Sequence, residues 1–209
     1  MAASVSELLA FIELGIRHIL AVDAADHLLF LLVLAAIYRG RDWRAALWVI
    51  SAFTVGHSVT LLLAVTGHMV LPSAIVEFLI PVTIVATGIE NLVLRERAAS
   101  GPYARHRPLL AGIFGLVHGA GFAGYLTSLA MDHLAVPLLG FNLGIEMAQL
   151  VVLAASALLF VLVDPLLDIA FTAARLAPAQ RVGYRVRLVG ISAVVLVVAG
   201  AWAVERVPR

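Results

Sequence analysis

The chain places two histidines and two aspartates inside a stretch that is otherwise apolar enough for lipid. The stretch reads RHILAVDAADHLLF and contains His18, Asp23, Asp26 and His27. A charged side chain within an apolar span costs about 2.5–3.5 kcal/mol on insertion scales, so such groups normally face the protein interior and serve a function. Imidazole and carboxylate groups both bind divalent transition metals. The stretch is therefore predicted to form one wall of a metal site inside a helical membrane protein.

Further polar side chains occur in the other apolar segments, and the helical rise of about 1.5 Å per residue gives their depth. His27, His57 and His118 lie about 10–13 residues from one set of predicted helix ends, or roughly 15–20 Å, which is near the bilayer midplane. Other candidate ligands lie toward the two faces: His18, Glu77, Asn142 and Glu146 toward one and Glu90 toward the other. Such a column of polar groups fits a permeation path better than one enzyme site.

Three imidazoles at one depth, with Asp26 beside them, favour a borderline transition metal. Imidazole suits nickel, cobalt, zinc and copper, whereas carboxylates alone would favour magnesium, calcium or manganese, and selectivity within the first group depends on geometry. Each residue also has a structural interpretation: a lone histidine such as His57 can hydrogen-bond across helices, and Glu77 or Glu90 can be a boundary residue. Three further histidines are predicted to lie in solvated loops: His68, His106 and His133.

Two other functions use the same residue types. Three histidines and a carboxylate could hold zinc and activate water in an intramembrane hydrolase, with Ser58 or Asp23 assisting. His57 and His118, on separate helices, could instead ligate haem. The spread of polar residues through the bilayer depth argues against the hydrolase, because a hydrolase needs one compact site.

The composition is that of an integral membrane protein. The chain has 209 residues, 63% of them hydrophobic, and a mean hydropathy of +1.05, whereas soluble domains are about half apolar. A net charge of +1 gives no argument for nucleic acid, and the lack of cysteine excludes thiolate ligands and disulfides. The first residues lack a basic region followed by a short apolar core, so no removable signal peptide is expected.

Six apolar segments are long enough to cross a bilayer, which takes about 20 residues. The first, 5–38, is too long for one straight span, and we predict an amphipathic part (5–21) and an apolar part (23–38) with a bend near the Asp/His stretch. The other predicted spans are 44–66, 72–95, 108–131, 136–163 and 184–205. Residues 164–183 are predicted to form a shorter connecting segment. The predicted fold is one all-α transmembrane domain over residues 1–209.

Arginine placement predicts the orientation of this domain. The chain has no lysine and 14 arginines, and eleven of them flank the connections after spans one, three and five. By the positive-inside rule this face is cytoplasmic, so both termini are predicted outside. The eleven are Arg39, Arg41, Arg44, Arg95, Arg97, Arg105, Arg107, Arg175, Arg181, Arg185 and Arg187.

Glycines in span four predict a close helix contact. Gly115 and Gly119 form a small-xxx-small pair, a pattern that lets helix backbones approach in membranes. Close packing of this kind would allow polar side chains on neighbouring helices to converge. The sequence also allows a homo-oligomer without predicting one.

Five segments, taken in order, resemble the HupE/UreJ family of bacterial membrane proteins. They are GIRHILAVDAADHLLFLL, FTVGHSVTLLLA, VEFLIPVTIVATGIENL, FGLVHGAGFAG and FNLGIEMAQL, and they cover about residues 11 to 152. The resemblance implies a six-span nickel permease of the bacterial inner membrane, linked to hydrogenase or urease maturation, although some members are assigned other metals or none. It carries over to His18, Asp26, His27, His57, Glu77, Glu90, Asn91, His118, Asn142 and Glu146.

One spacing departs from the family pattern. The family has about five residues between the first histidine and the Asp-His pair, whereas seven separate His18 from Asp26 here. Nine positions apart on a continuous helix, His18 and His27 would point about 180° away from each other. Either the helix is broken between them, or His18 does not share the ion. In the second case Asp23, which shares a face with His27, could take its place.

Overall fold

Seven helices account for nearly all of the chain that the structure, a computed structural model, describes. The described residues are 2–21, 24–69, 71–94, 103–128, 134–174 and 182–208, and they contain no strand. The helices are α1 (Ala2–Leu20), α2 (Ala25–Ala35), α3 (Trp43–Val65), α4 (Ser73–Leu94), α5 (Tyr103–Ser128), α6 (Ala135–Ala173) and α7 (Val182–Glu205), with a 3-10 turn, Gly40–Asp42, before α3. The predicted all-α class is confirmed.

Within the described ranges, the helices from α3 to α7 are each long and apolar enough to cross a bilayer. Helices α1 and α2 pass the same test together, as a broken span bent by 71°. The predicted bend in the first segment is therefore confirmed, and six crossings result when the broken pair counts as one. Asp26 lies in the first turn of α2, where a carboxylate favours a helix start. Asp23 lies outside the described residues.

Helix α6 is longer than the sequence predicts. A span ending at residue 163, followed by a separate segment, is wrong, because α6 continues through Pro165 to Ala173. Contacts with α7 hold the extension in place: Arg187 donates to both oxygens of Asp164 at 2.8 and 3.0 Å, and the Gly183 N–H donates to Asp168 at 2.8 Å. Its 39 residues extend about 58 Å, more than the roughly 30 Å apolar core of a bilayer.

Glycines bring α3 and α5 into backbone contact. A Cβ at Gly56 would overlap the carbonyl oxygen of Gly112, and one at Gly115 would overlap the backbone oxygen of Phe53. A Cβ at Gly119 would overlap the backbone oxygen of His57. The close contact predicted from Gly115 and Gly119 is confirmed, and it fixes the two helices that carry His57 and His118.

The two ends of the helix bundle differ in charge. Asn91 near the end of α4 meets Arg107 near the start of α5, and Arg187 near the start of α7 donates to the carbonyl of Ala36 just after α2. We call this the arginine-rich end; in the described residues it carries Arg39, Arg41, Arg44, Arg107, Arg185 and Arg187. The opposite end holds the start of α4 and the ends of α5 and α7.

Candidate metal centre

Three histidines from α1, α2 and α3 converge inside the bundle. The potential ligand atoms of His18, His27 and His57 all lie within 4.8 Å of one another. The ring centroids of His18 and His27 are 4.6 Å apart, and those of His18 and His57 are 5.9 Å apart. The break between α1 and α2 allows the rings of His18 and His27 to contact each other, because on a continuous helix they would point in opposite directions. Of the two alternatives for His18, the structure shows the broken helix.

His118 of α5 lies beside this group, with its ring centroid 5.3 Å from that of His27. Its Nδ1 is 2.8 Å from the carbonyl oxygen of Phe114, and because a carbonyl only accepts, Nδ1 carries the proton. The Nδ1–H of His27 likewise donates to Oδ1 of Asp26, 3.1 Å away. The lone pair of each ring is therefore on Nε2. Metal-ligating histidines typically have this arrangement, in which a carbonyl or carboxylate binds the other N–H.

Unpaired buried nitrogens are concentrated at these four rings. Across the described residues, Nε2 of His18, His27 and His118 and both ring nitrogens of His57 have no hydrogen-bond partner. A buried polar atom without a partner costs about 1–3 kcal/mol, so several in one place indicate selection for something other than stability. Neutral imidazoles with a carboxylate beside them are a donor set that fits a divalent transition metal.

The spacing of the three central rings suits a single ion. A metal–imidazole bond is about 2.0–2.1 Å long, so neighbouring nitrogens in a tetrahedral site are roughly 3.3 Å apart. The nitrogens of His18, His27 and His57 lie within 4.8 Å of one another. Separations that shorten by about 1.5 Å or less would let all three rings bind the same ion.

A cavity of about 530 Å³ leads to the histidines from the opposite end of the bundle. His18, Asp26, His27 and His118 line it, and so does Glu77 near the start of α4, which is exposed. Glu77 thus places an exposed carboxylate at this cavity.

An arginine that the sequence analysis does not predict lies at this cavity. Arg206, just after α7, lines the cavity, and its Nη1 is 4.0 Å from Oδ2 of Asp26. Because Arg206 and Asp26 are far apart in the sequence, no local pattern could have predicted their contact.

Two predicted ligands lie elsewhere, in a separate cavity of about 350 Å³ between α3 and α6. Asn142 and Glu146 line it, and Glu146 accepts a hydrogen bond from Ser51 at 3.0 Å. None of the histidines lines this cavity. Asn142 and Glu146 therefore do not join the central group.

Glu90 and Asn91 form a third group, at the arginine-rich end. Arg107 donates to Oδ1 of Asn91 at 3.2 and 3.3 Å and lies 3.6 Å from Oε2 of Glu90. His106, which the sequence places in a solvated loop, is in the first turn of α5 with Nε2 3.4 Å from Oε1 of Glu90. Among the described residues, the predicted ligands thus fall into three groups: at the histidines, at the cavity between α3 and α6, and at the arginine-rich end.

Comparison with known protein families shows which family the chain belongs to. The family model described as HupE / UreJ protein matches residues 1–206, nearly the whole chain. The chain belongs to the HupE/UreJ family. No match was found among curated proteins or among solved structures. The resemblance seen in five segments is therefore confirmed, and the histidine group belongs to a HupE/UreJ multi-pass membrane protein, a member of a transporter-like family.

Proposed function

We propose that this HupE/UreJ protein is a permease for a divalent transition metal, with nickel as the first candidate and cobalt, zinc and copper as the others. The observation that carries the proposal is that one ring nitrogen each of His18, His27 and His57 lies within 4.8 Å of the others, deep between membrane-spanning helices. Ring nitrogens without a hydrogen-bond partner in the described residues occur on all three rings. His118 extends this set by one ring. Family membership supports transport over the intramembrane hydrolase.

Imidazole ligands set the class of ion. Magnesium and calcium prefer oxygen ligands, and magnesium releases its waters reluctantly. Nickel, cobalt, zinc and copper accept imidazole nitrogen readily, and His18, His27, His57 and His118 offer it. The carboxylate of Asp26, hydrogen-bonded to His27, adds negative charge that offsets part of the cost of a dication in an apolar region.

The proposed direction of transport follows from the arginines. The arginine-rich end is the cytoplasmic side of the bacterial inner membrane by the positive-inside rule, so both termini and the mouth of the cavity with Glu77 face outward. Cations would then enter from outside and move toward the cytoplasm. A membrane potential contributes about 2.3 kcal/mol per charge per 100 mV, or about 4.6 kcal/mol for a dication, so this movement needs no ATP.

Asp26→Asn tests the group that orients His27. The amide can still contact the ring but brings no negative charge, and we expect nickel affinity to fall about 10–100-fold, as for other outer-shell partners of metal-ligating histidines. Isothermal titration of purified protein measures the change. Asp42→Asn, at the arginine-rich end, should bind nickel like the parent, and equal affinity of Asp26→Asn and parent would contradict the role of Asp26.

Transport itself is tested in liposomes that contain a nickel-quenched dye and hold an inside-negative potential. We expect nickel influx well above that of protein-free liposomes, no influx of magnesium, and loss of nickel influx in His27→Ala. His68→Ala is the matched control, because His68 is exposed beyond the end of α3 and bonds Thr66. Failure of nickel, cobalt, zinc and copper alike to enter through the parent protein would refute the proposal.

A further inference from the structure

The interior is closed between the histidines and the arginine-rich end. The first layer is aromatic: the rings of Phe30 and Phe53 have centroids 4.9 Å apart, and Phe114 lies 6.4 Å from Phe30. Phe30 and Phe53 are each 1% exposed. The same two rings contact His118, at 5.3 and 5.1 Å between centroids. An ion at the histidines therefore has an apolar barrier directly beneath it.

The second layer is polar, and its centre is the guanidinium of Arg107. The side chain is 3% exposed, and it donates twice to Oδ1 of Asn91 at 3.2 and 3.3 Å. The amide of Asn91 donates in turn to the carbonyl of Val33 at 2.6 Å. Arg107 also lies 5.5 Å from the centroid of the Tyr38 ring. One buried cation thus ties α5 to α4 and, through Asn91, to α2.

Arg107 contacts the side-chain oxygens of α4 that lie closest to the arginine-rich end. The amide oxygen of Asn91 and the carboxylate of Glu90, whose Oε2 is 3.6 Å from Arg107, are the oxygen ligands nearest this end on α4. The guanidinium of Arg107 donates to Asn91 and forms an ion pair with Glu90, so both oxygen ligands already contact a positive charge. A dication cannot share them with the guanidinium, because like charges a few ångströms apart repel strongly where water is scarce.

We propose that Arg107 is an internal cation that closes the exit: it holds Glu90 and Asn91 until a metal ion takes its place and leaves toward the arginine-rich end. The inference rests on the proposed transport function and adds to it a residue that positions the exit carboxylate. Exit then requires the guanidinium to leave Asn91, which releases α4 from α5 at this end. The charge of Arg107, and not only its bulk, does the closing.

The lack of native cysteine allows a direct test. Ala111 is 3% exposed and lies on α5 between Arg107 and Phe114, so Ala111→Cys places a thiol between the two layers. In nanodiscs without metal, a small membrane-impermeant cationic thiol reagent is expected to modify this cysteine slowly. Adding Arg107→Gln should raise the rate at least tenfold, whereas adding Arg107→Lys, which keeps the charge, should leave it within threefold.

Two further variants keep the test decisive. Arg41→Gln is the control, because the Arg41 side chain is 73% exposed at the same end, and it should leave the rate unchanged. Arg107→Met also removes the charge and keeps an unbranched side chain, so it should raise the rate at least tenfold, and it replaces Arg107→Gln if that variant lacks a cooperative thermal transition. Rates unchanged in Arg107→Gln and Arg107→Met, or equal in Arg107→Lys and Arg107→Gln, would overturn the proposal.

Because the rate of cysteine modification is measured without metal, it tests the closure by Arg107 independently of the proposed transport function. If the thiol becomes reactive in Arg107→Gln while the parent carries no metal into liposomes, the closure by Arg107 stands and the transport proposal fails. If the parent carries nickel but the thiol stays protected in Arg107→Gln, transport stands and the closure is refuted.

Discussion

Replacing His57 with leucine is expected to abolish nickel transport and to make the metal-free protein more stable. His57 is wholly buried, and neither of its ring nitrogens has a hydrogen-bond partner in the described part of the chain. Leucine has a similar volume and no polar atoms, so it removes a desolvation cost of about 1–3 kcal/mol per unpaired atom without opening a cavity. A purely structural histidine would give the opposite result, a loss of stability.

The loss of function should be large because a direct ligand is removed. Outer-shell partners of metal-bound histidines are worth about 10–100-fold in affinity, so removing one of the three central imidazoles should weaken nickel binding by at least about 100-fold. We expect no influx in the liposome assay and no nickel-dependent rise in melting temperature.

Calorimetry of parent and variant, with and without nickel, measures both effects. A gain of 1 kcal/mol raises the melting temperature by about 2–4 °C at this chain length. His68→Leu is the matched control and should change neither property, since His68 is exposed. A His57→Leu protein that still takes up nickel at the parent rate would remove His57 from the site.

Gly119→Ala is expected to separate the two helices that carry His57 and His118. The new Cβ would overlap the backbone oxygen of His57, and backbone atoms on neighbouring helices cannot move aside as a side chain can. Overpacking of this kind costs about 1–3 kcal/mol, and here the displaced residue is itself a proposed ligand. We therefore expect lower thermal stability and weaker nickel binding together.

Gly124→Ala is the matched control on the same helix. No atom lies within 4 Å of a Cβ built at Gly124, and alanine is favoured over glycine in a helix by about 0.5–1 kcal/mol. Thermal unfolding in detergent should show Gly124→Ala at or slightly above the parent and Gly119→Ala below it. Equal melting temperatures for the two variants would mean that α3 and α5 are not in backbone contact at Gly119.

Much of the fold follows from local sequence. Apolar runs of about 20 residues form spanning helices because every backbone polar group must be satisfied within the helix in lipid, and α3, α4 and α7 begin and end close to the predicted residues. The α3–α5 contact is also local in origin, because Gly115 and Gly119 remove the side chains that would hold the helices apart. The end of α6 was mispredicted because its extension depends on a partner distant in sequence, Arg187 of α7.

Residue types along the chain are enough to show which chemical groups lie between the membrane helices: imidazoles and carboxylates, in segments that resemble the HupE/UreJ family. Which of these groups meet depends on the tertiary structure. It brings His18 to His27 across a 71° bend, gives Glu146 a separate cavity, and sets Arg107 against Glu90. The reason is that residue type and helical periodicity are properties of one segment, whereas a shared site depends on how helices distant in sequence are bent and rotated against each other.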